Sequence, residues 1–266
     1  MDCLLIYRRE DVEKNRAYIA LYEEECKKRG LGFSLILYEE TDRDLSLRKD
    51  SGFFVINRSR SAALAASLEE RGIPVFNNSE VSRVGNDKLL AIRRAETWGL
   101  PVMRTEESSE AFGGSFPLVM KTADGHGGSE VFLIRSAAEA EGIAAAHPGR
   151  SFLFQEFCDT PGRDLRIYIV GNRICAAMLR TSDTDFRSNY SLGGNAVPHS
   201  LTPEEQAIIE TILSELTIGH AGIDLIYHQG NPVFNELEDV VGSRMLYRHT
   251  NIDIVHIYMD HICRCI

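Results

Sequence analysis

The chain has 266 residues, with 29 lysines and arginines against 39 aspartates and glutamates, a formal net charge of -10 at neutral pH. This acidic balance argues against a nucleic-acid partner, because a general nucleic-acid binder needs a basic face. No apolar run is long enough to span a bilayer, and a predicted strand starts as early as Cys3, so we expect no signal peptide, no membrane partner and a cytoplasmic location. The six cysteines are scattered without metal-ligand spacing, which is typical of reduced thiols.

The first part of the chain alternates predicted strands and helices. In chain order these are a strand at 4–8, a helix over 12–29, strands at 33–38 and 52–57, a helix over 61–71 and a strand at 75–77. Gly30 and Gly72 close the two helices as C-cap residues. The alternation predicts a small parallel sheet flanked by helices. No G-x-G-x-x-G fingerprint follows the first strand, which disfavours a dinucleotide site there.

A second unit begins with a predicted helix over 86–98. An apolar strand over 116–122 contains Lys121, a glycine-rich turn covers 124–129, and a strand follows at 130–134. This order predicts a hairpin whose tip presents backbone N–H groups to phosphate oxygens. It is not a Walker loop, because no helix follows and the lysine precedes the glycines. A lysine inside an apolar strand favours a functional role over a structural one.

Three carboxylates near the C-terminus have the spacing of metal ligands. Glu236 and Glu238 are two residues apart on a predicted strand and point to one face, while Asp224 lies on the strand before it. Both strands are otherwise apolar, where a carboxylate is costly unless it is paired or metal-bound. Oxygen ligands suit Mg²⁺ or Mn²⁺, and Mg²⁺ commonly accompanies nucleotide phosphates. A solvated strand face is the alternative interpretation of Glu-x-Glu.

The collinear order of these motifs resembles the ATP-grasp superfamily, and within it the RimK-like glutamate ligases and related carboxylate-amine ligases. The motifs in chain order are Lys88, Lys121, the glycine-rich turn, Gln155-Glu156-Phe157-Cys158, Asp164-Leu165-Arg166, Asp185-Phe186-Arg187-Ser188-Asn189 with Gly193-Gly194, Asp224, and Glu236-Leu237-Glu238. The resemblance covers the chain from about residue 86 to its end. It implies a pre-ATP-grasp α/β domain at 1–84 and an ATP-grasp domain at 85–266 made of two α+β subdomains, a lid-bearing one at 85–157 and a metal-binding one at 158–266.

The resemblance also implies the ligands and their residues, namely ATP with two Mg²⁺ ions, or Mn²⁺ in their place. The implied set is Lys88 and Lys121 for the phosphates, Gly125, Gly127, Gly128 and Ser129 for a lid over them, Glu156 and Phe157 for adenine, Asp164 for ribose, Arg187 and Asn189 for the transferred phosphoryl group, and Asp224, Glu236 and Glu238 for the metals. Lys121 and Arg187 are the implied catalytic residues.

The chain departs from the family pattern at Glu238, where the family carries asparagine ahead of a Pro-Gly turn. Arg244 follows closely and is a candidate to offset the extra charge or to hold a substrate carboxylate. Arg58, Ser59 and Arg60, after the third strand of the first domain, are equally compatible with an acidic-substrate site and with a solvated loop. We predict an ATP-dependent ligase that joins a small-molecule or peptide carboxylate to an amine through an acyl-phosphate. An ATP-binding regulatory or scaffold protein, a grasp-fold kinase and a homo-oligomeric assembly remain open.

Overall fold

The computed structural model of the protein describes residues 1–46, 52–125, 130–188 and 193–266. Its strands form three sheets, one parallel and two antiparallel. The predicted fold class, α/β with α+β parts, is therefore confirmed. In the described residues, no helix combines the length and apolar character that crossing a membrane requires.

The first sheet is parallel and has the strand order β2-β1-β3-β4. Its elements are β1 (Asp2–Tyr7), α1 (Arg9–Val12), α2 (Arg16–Lys28), β2 (Gly32–Leu37), a 3₁₀ turn (Tyr38–Glu40), α3 (Thr41–Ser46), β3 (Phe53–Asn57), α4 (Ala62–Glu70) and β4 (Val75–Phe76). The chain passes from β1 to β2 on one side and then crosses to β3 on the other. The carboxyl ends of β1 and β3 therefore flank the point where the strand order reverses, which is where open α/β sheets bind ligands.

The second sheet is antiparallel and has the order β5-β8-β6-β7. The elements of this segment are α5 (Ser79–Gly85), α6 (Lys88–Thr97), β5 (Thr105–Glu106), a 3₁₀ turn (Ser109–Phe112), β6 (Leu118–Thr122), β7 (Val131–Ile134), α7 (Ala137–Ala146) and β8 (Phe152–Glu156). Strands β6 and β7 form the predicted hairpin, with Lys121 opposite Val131. The tip residues 126–129 lie outside the described residues.

The third sheet is antiparallel and has the order β11-β10-β9-β12-β13. The elements are β9 (Arg163–Val170), β10 (Arg173–Thr181), β11 (Asn195–Pro198), α8 (Pro203–Glu215), β12 (His220–His228), β13 (Asn231–Glu238), α9 (Arg244–His249) and α10 (Ile254–Cys265). A bulge after Asp224 shifts the register of β12 against β13, so that Asp224 pairs with Glu236 while Leu225 pairs with Phe234. The bulge places Asn235 beside this pair without a partner position of its own.

The first and third sheets share a hydrophobic core. Helix α10 buries Ile254, Tyr258 and Ile262 in the same cluster as Cys3 and Leu5 of β1. Each sheet lies within one of the predicted segments 1–84, 85–157 and 158–266, but this core joins the outer two. The domain boundaries therefore remain predictions.

An ionic contact reinforces the packing of α10 against α2. The Glu25 carboxylate on α2 is buried and lies 2.9 Å from Lys28 Nζ and 2.8 Å from His256 Nδ1 of α10, and it also pairs with Arg29. Burial by itself would raise the pKa of Glu25, but these three basic side chains lower it to about 2. The carboxylate therefore stays ionised and links the two helices.

Candidate active site

A cavity of about 640 Å³ lies between the three sheets. Every predicted site residue that the structure describes lines it, namely Lys88, Lys121, Gly125, Glu156, Phe157, Asp164, Arg187, Asp224, Glu236 and Glu238. The remaining predicted residues, Gly127, Gly128, Ser129 and Asn189, lie outside the described residues. The collinear motifs thus converge on one cavity, whereas the role of each residue is still a prediction.

Lys88 begins helix α6 directly after the N-cap Asp87, whose carboxylate accepts a hydrogen bond from the Leu90 N–H. A cation in the first turn gains nothing from the helix dipole, so other contacts must hold it. Its ammonium nitrogen lies 3.2 Å from Glu236 Oε1 and donates to the Gly125 carbonyl. Lys88 therefore connects the metal-candidate strand to the base of the glycine-rich turn.

Lys121 is held by two amide oxygens. Its ammonium group donates to Gln155 Oε1 at 2.7 Å and to Asn235 Oδ1 at 3.0 Å. Burial lowers the pKa of Lys121 to about 8, against the opposing effect of Glu236 and with a smaller contribution from Lys88. Because a lysine has three N–H donors, these two neutral partners leave one donor without a partner among the described residues and available to an anion.

The partners of Lys121 were not assigned from the sequence. Gln155 lies inside a quoted motif, and Asn235 directly precedes the candidate metal ligand Glu236. The available signal was an amide side chain at the start of one motif, Gln155, and directly before another, Asn235. The sequence did not reveal the bulge at Asn235, which allows the Asn235 side chain to face the cavity together with Glu236.

Asp224 is buried at the centre of a ladder of alternating charges. Arg166 on β9 donates to it twice, from Nε to Oδ1 at 2.8 Å and from Nη2 to Oδ2 at 2.7 Å. Arg180 on β10 donates to Asp224 Oδ2 at 2.8 Å and to both oxygens of Asp164 at 2.5 Å. Burial would raise the pKa of Asp224, but the two arginines lower it to about 2. Both oxygens of Asp164 already accept hydrogen bonds from Arg180. Binding of ribose hydroxyls by Asp164 therefore remains a prediction.

The predicted convergence of three carboxylates on one point is wrong for the described residues, in which no group of three acidic, histidine or cysteine side chains is arranged to hold a metal. The physical reason is that protein cations separate them. Arg166 stands between Asp224 and Glu238, whose Oε2 lies 2.6 Å from Arg166 Nη1, and Lys88 pairs with Glu236. Arg166, rather than Arg244, therefore offsets the extra charge of Glu238.

The donor set nevertheless fits a hard cation. Asp224 and Glu236 are opposite each other in the sheet, and Glu238 lies on the same strand. Glu238 Oε2 is buried and receives no aligned hydrogen bond within the described part of the chain, and burial raises the pKa of this carboxyl against the effect of Arg166. Mg²⁺ prefers oxygen ligands of this kind. Metal binding by Asp224, Glu236 and Glu238 remains a prediction that requires Arg166 and Lys88 to give up part of their contacts.

The opposite part of the cavity is aromatic. The rings of Phe157 and Phe186 meet edge to face with centroids 6.1 Å apart, and the Arg187 guanidinium lies 5.5 Å above the Phe186 ring. Arg187 donates to Asp185 from Nε at 3.0 Å and from Nη2 at 2.7 Å, and this pairing lowers the pKa of the Asp185 carboxyl. Stacking surfaces of this type suit a flat base. Glu156 lies beside Phe157, at the end of β8.

Comparisons with known proteins agree with this geometry. Residues 89–262 match the sequence profile of a family described as "RimK-like ATP-grasp domain". A probable alpha-L-glutamate ligase of Xanthomonas campestris pv. campestris (strain 8004) is 30% identical over 212 residues, which cover 75% of this chain and 73% of the relative. The profile covers well over half of the chain.

Solved structures show the same fold along nearly the whole chain. An ATP-grasp RimK domain protein of Sphaerobacter thermophilus superposes with a TM-score of 0.71 at 21% identity, covering 98% of this chain and 99% of that one. The D-alanine–D-alanine ligase of Bacillus anthracis, solved with ATP, gives a TM-score of 0.74 at 15% identity and covers 99% and 96% of the two chains. Together with the profile match, the curated relative and the collinear motifs, they show that the chain belongs to the RimK-like ATP-grasp family.

Proposed function

We propose that the protein is an ATP-dependent ligase that activates a carboxylate as an acyl-phosphate and passes the acyl group to an amine, releasing ADP and phosphate. The supporting observation is the arrangement around Lys121. A half-buried ammonium group whose hydrogen-bond partners among the described residues are the neutral amides of Gln155 and Asn235 is a site for an external anion. Lys88 and Arg187 line the same cavity and bring two more cations to it.

In the proposed reaction, a substrate carboxylate oxygen attacks the γ-phosphorus of ATP, and the bond to the bridging oxygen of ADP breaks. The amine nitrogen then attacks the acyl carbon, inorganic phosphate leaves with the bonding electron pair, and the nitrogen loses a proton. Catalysis of this kind depends on positioning and on charge neutralisation, which Lys88, Lys121 and Arg187 supply here. No protein nucleophile is needed.

A divalent ion bound at Asp224, Glu236 and Glu238 would neutralise phosphate charge. The chain's own contribution is clearest at Asp224, which it holds ionised and in place. Arg166 and Arg180 both pair with this carboxylate and lower its pKa to about 2 against the effect of burial. We propose Mg²⁺ as the natural ion, with two ions bound and Mn²⁺ able to replace them.

We propose small-molecule or peptide carboxylates and amines as the substrates. The curated relative is named a probable alpha-L-glutamate ligase, so glutamate is the first substrate to test in either role. The experiment is a screen of ADP release over pairs of acids and amines. A ligase requires both members of a pair, whereas a kinase releases ADP with the acid alone and a regulatory binder releases none.

A melting experiment tests the nucleotide site by itself. Millimolar Mg·ATP is expected to raise the melting temperature, because a ligand that binds only the folded state stabilises it by mass action. NAD at the same concentration is the control and is expected to give no comparable shift. A melting curve unchanged by Mg·ATP would contradict the proposed function at its first step.

A further inference from the structure

The residue after Glu238 is a buried carboxylate whose hydrogen bonds, in the described part of the chain, come from neutral side chains. Asp239 is 3% exposed and directly follows the last residue of β13. Its Oδ1 accepts a hydrogen bond from Asn77 Nδ2 at 2.6 Å, and its Oδ2 accepts from Ser82 Oγ and Asn86 Nδ2, both at 2.9 Å. A carboxylate is costly to bury, and apolar side chains would fill the same space at lower cost. A carboxylate at this position therefore needs a reason other than packing.

The three donors belong to two segments outside the third sheet. Asn77 follows β4 of the first sheet, and its side chain also binds the backbone of His220 at the start of β12. Asn77 Nδ2 donates to the His220 carbonyl at 2.6 Å, and Asn77 Oδ1 accepts from the His220 N–H at 2.8 Å. Ser82 lies in α5, and Asn86 is the C-cap residue of that helix. Asp239 therefore fastens the end of β13 to the first sheet and to α5 at the same time.

Two further contacts hold the segment that follows Glu238. Helix α5 ends at Gly85, where a Cβ would lie 2.9 Å from the Asp239 backbone nitrogen, so this close approach requires glycine. Arg58, in the loop after β3, is 4% exposed and donates from Nη2 to the Val241 carbonyl at 3.0 Å. At Arg58 this loop is therefore buried rather than solvated, and it also ties the segment after β13 to the first sheet.

The end of β13 carries a candidate metal ligand into the cavity. Glu238 lines the cavity, whereas Asp239 does not. The Glu238 carboxylate lies 2.6 Å from Arg166 Nη1, a contact that metal binding has to weaken. A ligand on the last residue of a strand can move with the chain that follows it unless that chain is fixed. Groups that fix a metal ligand without touching the metal commonly determine how well the metal binds.

We propose that Asp239 is a positioning residue for the candidate metal site, because it fixes the backbone next to Glu238 and so keeps the Glu238 carboxylate in place for a divalent ion. The inference rests on the proposed function and on the metal role of Glu238. The two oxygens of Asp239 accept from three donors at once. An amide at this position does not reproduce the arrangement, because its nitrogen would face the N–H donor of either Asn77 or Asn86.

The test measures how binding of a non-hydrolysable ATP analogue depends on the Mg²⁺ concentration, by titration calorimetry. Loss of a group that orients a metal ligand weakens metal binding by about tenfold to a hundredfold, so Asp239→Asn should raise the Mg²⁺ concentration for half-maximal binding by about tenfold. Affinity for the analogue without Mg²⁺ should match that of the wild-type protein, because Lys88 and Lys121 are unchanged. Ser82→Ala removes one hydrogen bond and keeps the carboxylate, so it should cause a smaller change in the same direction.

Glu205→Gln is the matched control for a purely structural role. Glu205 on α8 is 2% exposed and does not line the cavity. It accepts hydrogen bonds from the Thr202 N–H at 2.8 Å and from the Tyr227 hydroxyl at 2.7 Å. Both Glu205→Gln and Asp239→Asn should lower the melting temperature of the ligand-free protein. Only Asp239→Asn should change the Mg²⁺ requirement.

A double variant shows whether Asp239 acts through Glu238. Asp239→Asn should add nothing to the Mg²⁺ requirement of Glu238→Ala, because the ligand that it positions is already missing. The proposal is overturned if the effects of the two substitutions add, or if folded Asp239→Asn and Ser82→Ala proteins keep the wild-type Mg²⁺ requirement. Failure of the wild-type protein to bind the analogue at any Mg²⁺ concentration would instead contradict the proposed function, and the same titration reports it separately.

Discussion

Replacing Lys121 by methionine is expected to abolish productive nucleotide binding while leaving the fold intact. Methionine has similar length and no charge, so the substitution removes the ammonium group with little loss of packing. The pKa of Lys121 is lowered to about 8, which means that burial disfavours the charged form. Relative to a free lysine, this lowering of the pKa corresponds to roughly 3 kcal/mol. The ligand-free protein therefore loses little when the charge is removed.

The cost of Lys121→Met falls on the complex with ATP. A phosphate charge about 4 Å from the ammonium nitrogen interacts with it by about 4 kcal/mol at an effective dielectric constant of about 20. Losing a preorganised contact of this strength typically lowers the rate by about a hundredfold to a thousandfold. We expect a loss of this size in ADP release, together with loss of the stabilisation by Mg·ATP.

The assay measures the Mg·ATP-induced shift in melting temperature and the rate of ADP release for Lys121→Met and for the control Lys27→Met, which changes an exposed lysine on α2. The control should match the wild-type protein in both measurements. Circular dichroism reports whether each variant is folded. A folded Lys121→Met protein that binds Mg·ATP within threefold of the wild-type affinity would refute the reasoning.

Three further predictions follow from the charges around the cavity and between the helices. A bound phosphate should raise the lowered pKa of Lys121, so the protein should take up about half a proton when it binds Mg·ATP near pH 8. Calorimetry in two buffers of different ionisation enthalpy measures this proton uptake. The Lys121→Arg protein should take up no proton. Glu238→Ala should raise the Mg²⁺ concentration needed for ADP release, and Glu238→Asn, which restores the family's ligand, should retain part of the activity; identical Mg²⁺ curves for Glu238→Ala and wild type would remove Glu238 from the metal site. The lowered pKa of Glu25 means that its contribution to the free energy of unfolding is complete above about pH 4.5 and is lost as the pH falls toward 2. Glu25→Gln should therefore lower the free energy of unfolding in urea by about 2–3 kcal/mol at pH 7 and by much less at pH 2.5. The exposed control Glu24→Gln should change this free energy by under about 0.5 kcal/mol at both pH values.

Local patterns were sufficient for the parallel sheet, for Lys121 and for the acidic residues on the last two strands, whereas the other residues that line the cavity were implied by the resemblance to the ATP-grasp superfamily. Alternating strands and helices predict a parallel sheet because each element must bury one face, and the four strands of β1 to β4 lie close to their predicted positions. Lys121 stood out because a charged side chain in an apolar strand is expensive without a partner. Asp224 and Glu236 were expected on adjacent strands, and they are directly paired.

The interactions that the sequence did not reveal depend on register and on distant contacts. Arg180 reaches both Asp164 and Asp224 because β10, β9 and β12 are neighbours in the sheet, and this order is not visible in local spacing. The carboxylates do not converge because Arg166 comes between them from β9. Arg58 looked equally like a loop residue, since its burial depends on Tyr18 and Val241, which are far from it in the chain.

The most direct test of the proposed ligase is whether oxygen passes from a substrate carboxylate to inorganic phosphate. An acid and amine pair that supports ADP release is used with both carboxylate oxygens labelled with ¹⁸O, and the phosphate is analysed by mass spectrometry. Activation through an acyl-phosphate transfers one labelled oxygen to each phosphate released. Unlabelled phosphate, formed at the same rate as the amide, would contradict the proposal that this protein joins a carboxylate to an amine through an acyl-phosphate.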